Sequence, residues 1–244
     1  MADAAARGIL ESRVGPYLCA LNPSYPQESD QLARIITACE NTPEAPEISP
    51  TVVGRRAITT LDLGGVGKVV VKHYQRGGLF KLVMKRSYLR ISRSRAQDEF
   101  EYLARVRALG VSAPEPVGFV TRGGIFYRNW LLTREIPEAI SLADWAARNG
   151  ENLRVLSDKV IEQVGILIEA RILHVDLHPG NVILDREQQL WLLDFDKAAQ
   201  FKGKLNILRD MYLVRWRRAV LKHGLPEKLS EYVALGLRRN FEVN

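Results

Sequence analysis

From Leu173 to Asp196 the chain sets a few polar and charged residues into apolar sequence, in an order that restricts the backbone severely. Asp176 and Asn181 stand five positions apart with Pro179-Gly180 between them, and that dipeptide breaks a helix and makes a loop. Two apolar stretches follow, Val182-Ile-Leu-Asp185 and Leu190-Trp-Leu-Leu-Asp194, around the polar Arg186-Glu-Gln-Gln189. They predict a short hairpin that returns Asp194 to the side of Asn181. A carboxylate placed after Trp191-Leu-Leu193 is costly to bury without a partner, so a cation beside it is physically sensible. Magnesium takes oxygen ligands and keeps several waters, so one Asp and one Asn suffice to hold it. Asp176, Asn181 and Asp194 therefore form a candidate set for phosphoryl transfer, which needs a carboxylate at the acceptor hydroxyl and oxygen ligands for the metal.

The rest of the 244 residues supports that reading. Thr51 to Leu63 and Lys68-Val-Val-Val-Lys-His-Tyr74 are rich in β-branched residues and flank Gly64-Gly-Val-Gly67, which predicts a hairpin. Arg95 to Leu109 carries Phe100, Leu103, Val106 and Leu109 at helical spacing, with Gly110 as the stop. Val117 to Thr121 and Ile125 to Arg134 read as a second antiparallel pair. Ser141 is a plausible N-cap for a helix through Asn149, Leu153 to Ala170 fits a long buried helix, and the last forty residues read as helical and basic. Residues 1 to about 50 look like a loosely organised extension broken by Pro23, Pro26, Pro43, Pro46 and Pro50, with Asp30 to Cys39 as the only short helix. The order predicts an α+β chain: an extension over 1–50, a small antiparallel β lobe with one helix over 51–134, and a mostly helical lobe over 135–244, with a cleft between the lobes.

Net charge is +7, and it is patterned. Lys72 to Arg95 holds eight Lys or Arg and no acid, and Phe201 to Asn240 holds ten basic residues against three acidic ones. Basic blocks interleaved with bulky apolar residues suit an anionic membrane surface or a phosphorylated glycolipid. No nucleic-acid-binding motif accompanies them, so nucleic acid is not the expected partner. Cys19 and Cys39 lack the spacing of a zinc or redox motif, which fits a reducing compartment. No signal-like N-terminus and no apolar run near the roughly 18 residues of a bilayer span occurs. The expected location is cytoplasmic, with any membrane contact peripheral.

His174-Val-Asp-Leu-His-Pro-Gly-Asn181 followed by Leu192-Leu-Asp-Phe-Asp196 resembles the catalytic and metal-binding loops of the eukaryotic-like kinase superfamily. With Lys72-His-Tyr-Gln-Arg-Gly-Gly78 upstream, the chain is similar to the bacterial lipopolysaccharide kinase family over roughly Val53 to Lys222. The resemblance implies a protein-kinase-like two-lobed fold with a reduced C-terminal lobe, and ATP and Mg2+ as cofactors. It makes Asp176 the catalytic base, Asn181 and Asp194 the metal ligands, and Lys72 the strand lysine that positions phosphates. Glu99, with Leu103 four residues on, is the expected helix partner of Lys72; Glu101 lies about 200° away around the helix. Gly54 occupies the phosphate-loop position, although G-x-G-x-x-G is absent, and the backbone at Glu135 and Ile136 is the expected adenine contact. Arg76, Lys81 and His178 are the candidate acceptor contacts. His174-Val175 lacks the arginine of protein kinases, Asp196 replaces the usual glycine, and no A-P-E segment follows in the remaining fifty residues. These departures disfavour a protein substrate.

The resemblance therefore implies a hydroxyl of the 3-deoxy-D-manno-octulosonic acid (Kdo) sugar on a lipid A precursor as acceptor, met peripherally at the cytoplasmic face of the inner membrane. The alternatives are a lipopolysaccharide heptose kinase, a small-molecule kinase of the aminoglycoside or choline type, and a nucleotide-binding pseudokinase scaffold.

Overall fold

The computed structural model describes residues 9–25, 28–42, 59–74, 94–123, 128–148 and 152–241. Gly54, Arg76, Lys81 and most of the first basic block lie outside them. The chain is α+β and divides into two compact units, Met1–Glu101 with Glu115–Glu135, and Tyr102–Pro114 with Ile136–Asn244.

The first unit is built on a six-stranded antiparallel sheet. Its strands are β1 (Leu10–Val14), β2 (Tyr17–Leu21), β3 (Thr59–Asp62), β4 (Lys68–Tyr74), β5 (Pro116–Arg122) and β6 (Arg128–Arg134), in the order β1-β2-β5-β6-β4-β3. The expected hairpin is β3–β4, joined through a 3-10 turn at Gly64–Val66, and the expected second pair is β5–β6. Side chains alternate across a strand, so Val69 and Val71 face one way and Lys72 the other. The Val69 face joins Leu21, Val117, Trp130 and Leu132 against Leu32, Ile35 and Cys39 of helix α1 (Ser29–Asn41).

That core corrects the expectation of a loosely organised extension, whose short helix, expected at Asp30 to Cys39, is present as α1. Residues 10–21 form a hairpin about Gly15-Pro16, and β2 pairs along the whole of its length with β5. The prolines that suggested a loose extension lie downstream of it, around α1. β1 is largely exposed and offers no alternating pattern, whereas β2 is a strand because β5 supplies its partner. The approach is close: a Cβ added at Gly118 of β5 would stand 2.4 Å from the Ala20 carbonyl oxygen.

Helix α2 (Arg95–Ala108) begins in the first unit and ends in the second. Ser94 Oγ accepts from the Gln97 N–H at 3.2 Å, and the buried Asn129 of β6 accepts from the Ala96 N–H at 3.1 Å. These two side chains satisfy orphan donors of the first turn and fix where the helix starts.

The second unit is mainly helical: α3 (Leu142–Arg148), α4 (Leu153–Glu169), α5 (Leu205–Lys222) and α6 (Lys228–Asn240). Ser141 caps α3, accepting from the Asp144 N–H at 3.0 Å while donating to its carboxylate at 2.7 Å. Leu156, Val160, Val164, Leu208, Tyr212 and Val233 are among the buried residues that α4, α5 and α6 contribute to its core. Short strands complete it: β7 (Ile140–Ser141), β9 (Val182–Leu184) and β10 (Leu190–Leu192) form one sheet, β8 (Ile172–Leu173) and β11 (Ala199–Gln200) another. β9–β10 is the hairpin expected from the apolar stretches around residues 186–189. No described helix is long and apolar enough to cross a membrane.

Candidate active site

The second unit carries Asp176, Asn181 and Asp194 on two loops tied together by a few hydrogen bonds. The first loop leaves β8 and enters β9 through a 3-10 turn, Pro179–Asn181. His178 starts that turn, its Nδ1 accepting from the Gly180 N–H at 3.0 Å. A Cβ at position 180 would meet the imidazole at 2.9 Å, so glycine is what the close ring contact requires. Asn181 reaches back across the turn, its Nδ2 donating to the Asp176 carbonyl at 2.9 Å. With the amide nitrogen engaged, Oδ1 is the Asn181 atom left for a cation.

The second loop leaves β10 and is fastened to the first on both sides of one peptide. The Leu193 N–H donates to the Asn181 carbonyl at 2.9 Å, and the Leu193 carbonyl lies 2.8 Å from His174 Nε2. The Asp176 N–H donates to His174 Nδ1 at 3.3 Å, so Nε2 carries the proton and donates to Leu193. His174 is buried, and desolvation holds its pKa below the ordinary histidine value. A neutral ring with one donor and one acceptor nitrogen is what both bonds need. Its ring lies 4.6 Å from that of the fully buried Phe195. Asp194, between Leu193 and Phe195, adopts φ 63°, a left-handed conformation that Asp tolerates better than most side chains do.

Two residues of α5 complete the cluster, and neither was expected at the site. The buried Tyr212 accepts from the His174 N–H at 2.8 Å and donates to the Ile172 carbonyl at 2.7 Å, with burial pushing its hydroxyl pKa upward. Arg215 places Nη2 2.7 Å from Asp176 Oδ1. Arg215 lies within the basic stretch Phe201 to Asn240. The partners are 39 residues apart, so no local spacing announces the pair. Trp216 itself is buried against the unit. His178 Nε2 lies 3.9 Å from Asp176 Oδ2, and desolvation lowers its pKa as well.

The first unit brings together Lys72 and Glu99. Lys72 Nζ lies 2.8 Å and 3.1 Å from the two carboxylate oxygens of Glu99, and Tyr74 donates to the same carboxylate. Strand alternation puts Lys72 and Tyr74 on one face, and the anchored start of α2 supplies Glu99 to it. Glu101 accepts instead from Gln97 one turn back, as its helical position implies. The Glu135 N–H donates to the Lys68 carbonyl at 2.9 Å and so serves the end of the sheet. Ile136 is the first residue after that unit.

Among the described residues no cluster of three His, Cys, Asp or Glu stands ready for a metal. The donors available, an amide oxygen at Asn181 and a carboxylate at Asp194, are hard oxygens and fit magnesium rather than a thiophilic ion.

An aspartate and asparagine locked to a strand-end aspartate, together with a strand lysine paired to a helix glutamate, define the class: these are the residue types that kinase-type phosphotransferases use. More narrowly, the chain belongs to the lipopolysaccharide kinase (Kdo/WaaP) family, whose model matches residues 51–228. It is 33% identical over 131 residues to a 3-deoxy-D-manno-octulosonic acid kinase of Vibrio vulnificus, a match covering 52% of this chain and 55% of that protein. A protein of the same description from Vibrio cholerae is 31% identical over 185 residues, covering 70% of this chain and 75% of the relative. One from Xylella fastidiosa is 28% identical over 163 residues, covering 64% and 63%. The chain thus spans little more than half the length of the first of these relatives.

Proposed function

We propose that the chain is an ATP-dependent kinase that phosphorylates a hydroxyl of the Kdo sugar on a lipid A precursor. The observation that carries this reading is the hydrogen-bonded unit of His174, Asp176, Asn181 and Leu193, which holds a candidate base and one candidate metal ligand in one network, with the second candidate ligand, Asp194, next to Leu193 in the chain.

In this reading Asp176 receives the proton of the acceptor hydroxyl as the hydroxyl oxygen attacks the γ-phosphorus of ATP and the bond from that phosphorus to the β-phosphate oxygen breaks, so that ADP leaves. Arg215 holds one carboxylate oxygen, which orients the other toward the acceptor. Asn181 and Asp194 would hold Mg2+, which would neutralise charge on the nucleotide phosphates. Lys72, kept in place by Glu99, contacts the α and β phosphates. His178 and, outside the described residues, Arg76 and Lys81 are the candidate contacts for an anionic acceptor; Gly54 and the backbone at Glu135 and Ile136 are candidate nucleotide contacts. The two cationic blocks fit an acceptor that carries a carboxylate and phosphates, presented at the cytoplasmic face of the inner membrane.

The test is to incubate the protein with ATP, Mg2+ and Kdo-lipid A and to follow the glycolipid by mass spectrometry. A phosphorylated product lost in Asp176→Ala is expected. Turnover surviving Asp176→Ala sinks the assignment of the base, and no phosphorylated glycolipid from a preparation that still turns over ATP sinks the acceptor.

A further inference from the structure

Helix α5 has two apolar faces, and a packed surface helix needs only one. Leu208, Tyr212, Trp216 and Val220 recur every four residues and are buried in the second unit. On the other side Ile207, Met211, Val214 and Leu221 are exposed, between 42% and 60% of their surface being open. At about 100° per residue these four and Arg218 fall within an arc of about 80°, roughly opposite the buried row. An outward apolar stripe four turns long is unusual on a surface that has no reason to be apolar.

Charge surrounds the stripe. From Met211 to Lys222 the helix carries Arg215, Arg217, Arg218 and Lys222 and no acid. Asp210, just before, is paired with Arg209 at 2.8 Å. Ile207, Met211, Val214, Arg215 and Arg218, together with Asp210 and the segment Leu173 to Val175, also line a concavity of about 500 Å3. The outward face of α5 is therefore hydrocarbon with Arg218 within it and Arg215, Arg217 and Lys222 along its borders, and Arg215 is the partner of Asp176.

We infer that this face of α5 docks the protein on an anionic lipid bilayer, with Ile207, Met211, Val214 and Leu221 entering the acyl boundary and Arg217, Arg218 and Lys222 at the level of the lipid phosphates. The charge decides between this occupant and a second copy of the chain. A two-fold interface through the stripe would set its arginines against their own images, whereas anionic headgroups complement them. The inference deepens the proposed function, because it places the Asp176 loop one side chain away from the surface on which a lipid-borne acceptor lies. Its binding step requires neither nucleotide nor acceptor.

Sedimentation of the full chain with vesicles tests it, without ATP or glycolipid, so failure of the kinase reading leaves the outcome untouched. The parent should bind phosphatidylcholine vesicles containing about one third phosphatidylglycerol, bind pure phosphatidylcholine far less, and dissociate with salt. Arg217→Glu/Arg218→Glu should weaken binding at least on the order of tenfold, and Met211→Glu/Val214→Glu should abolish insertion. All four side chains are exposed, so a thermal melt should match the parent and separate lost docking from lost folding. Unchanged vesicle binding by the Met211→Glu/Val214→Glu protein overturns the inference. So does no binding by the parent, or a parent dimer that this variant converts to monomer.

Discussion

Replacing Lys72 by Met tests whether Lys72 and Glu99 form a coupled pair. Glu99 keeps only 3% of its side-chain surface exposed, whereas Lys72 keeps 37%. Removing one partner of a fully buried ion pair costs about 3–5 kcal/mol, and an exposed pair is worth about 0–1 kcal/mol. A buried carboxylate facing a partly solvated ammonium lies between these limits, so Lys72→Met should destabilise by about 1–3 kcal/mol. For a chain of this length that lowers Tm by about 2–12 °C. Much of the loss is the buried carboxylate left behind without its cation, although Tyr74 still donates to it. Glu99→Gln added to Lys72→Met should therefore restore part of the stability. The assay is thermal and urea unfolding of the two single variants and the double, closed as a cycle. A coupling of about 1–3 kcal/mol is expected. Additivity to within about 0.5 kcal/mol would refute the argument, because independent sites behave that way. In parallel, Lys72→Met should impair use of ATP far more than a melt shift of this size explains.

Arg215→Ala should lower kcat about tenfold or more by releasing the Asp176 carboxylate, with Arg215→Lys recovering part; unchanged kcat in both would remove Arg215 from the site. Stability should fall as pH drops below about 6.5, because the unfolded chain then takes up a proton that the buried His174, and to a lesser degree His178, resists. Melts between pH 7.5 and 5.5 should show that decline and its flattening in His174→Gln; an equal decline in the variant would assign it elsewhere. Gly118→Ala should destabilise the first unit by about 1–3 kcal/mol, since the new Cβ meets backbone that has nowhere to retreat, and a neutral melt would contradict the register. Cys39 and Cys19 are buried thiols raised in pKa, Cys19 to about 11, so a thiol reagent at pH 8 should label both only on unfolding.

Local sequence carried much of this structure where the partners are close in the chain. The β3–β4 and β9–β10 hairpins, the start of α2 and the Ser141 cap each rest on a turn or side chain within a few residues, and their patterns are readable. Glu99 could be chosen over Glu101 because helix geometry alone separates their faces. The failures have a common cause, which is distance along the chain. β2 is a strand because it finds β5 a hundred residues later, and Arg215 meets Asp176 from a different helix. Tyr212 is likewise an ordinary tyrosine in a basic helix until the loop it fastens is in place. The outward stripe of α5 was hidden for another reason: apolar residues on both sides of a helix erase the single-faced periodicity by which surface helices are recognised.

The N-terminal hairpin has a practical bearing on how this protein is handled. The family match begins at residue 51, and a shortened version cut there would look complete by homology. It would also strip β2 from the five residues Gly118 to Arg122 of β5 that pair with it, leaving a new sheet margin beside an apolar core deprived of α1. Such a margin is a template for another molecule's strand. A trimmed chain of this kind should therefore fail in the test tube by precipitating, and its silence in an assay would report on the missing border rather than on the chemistry at Asp176.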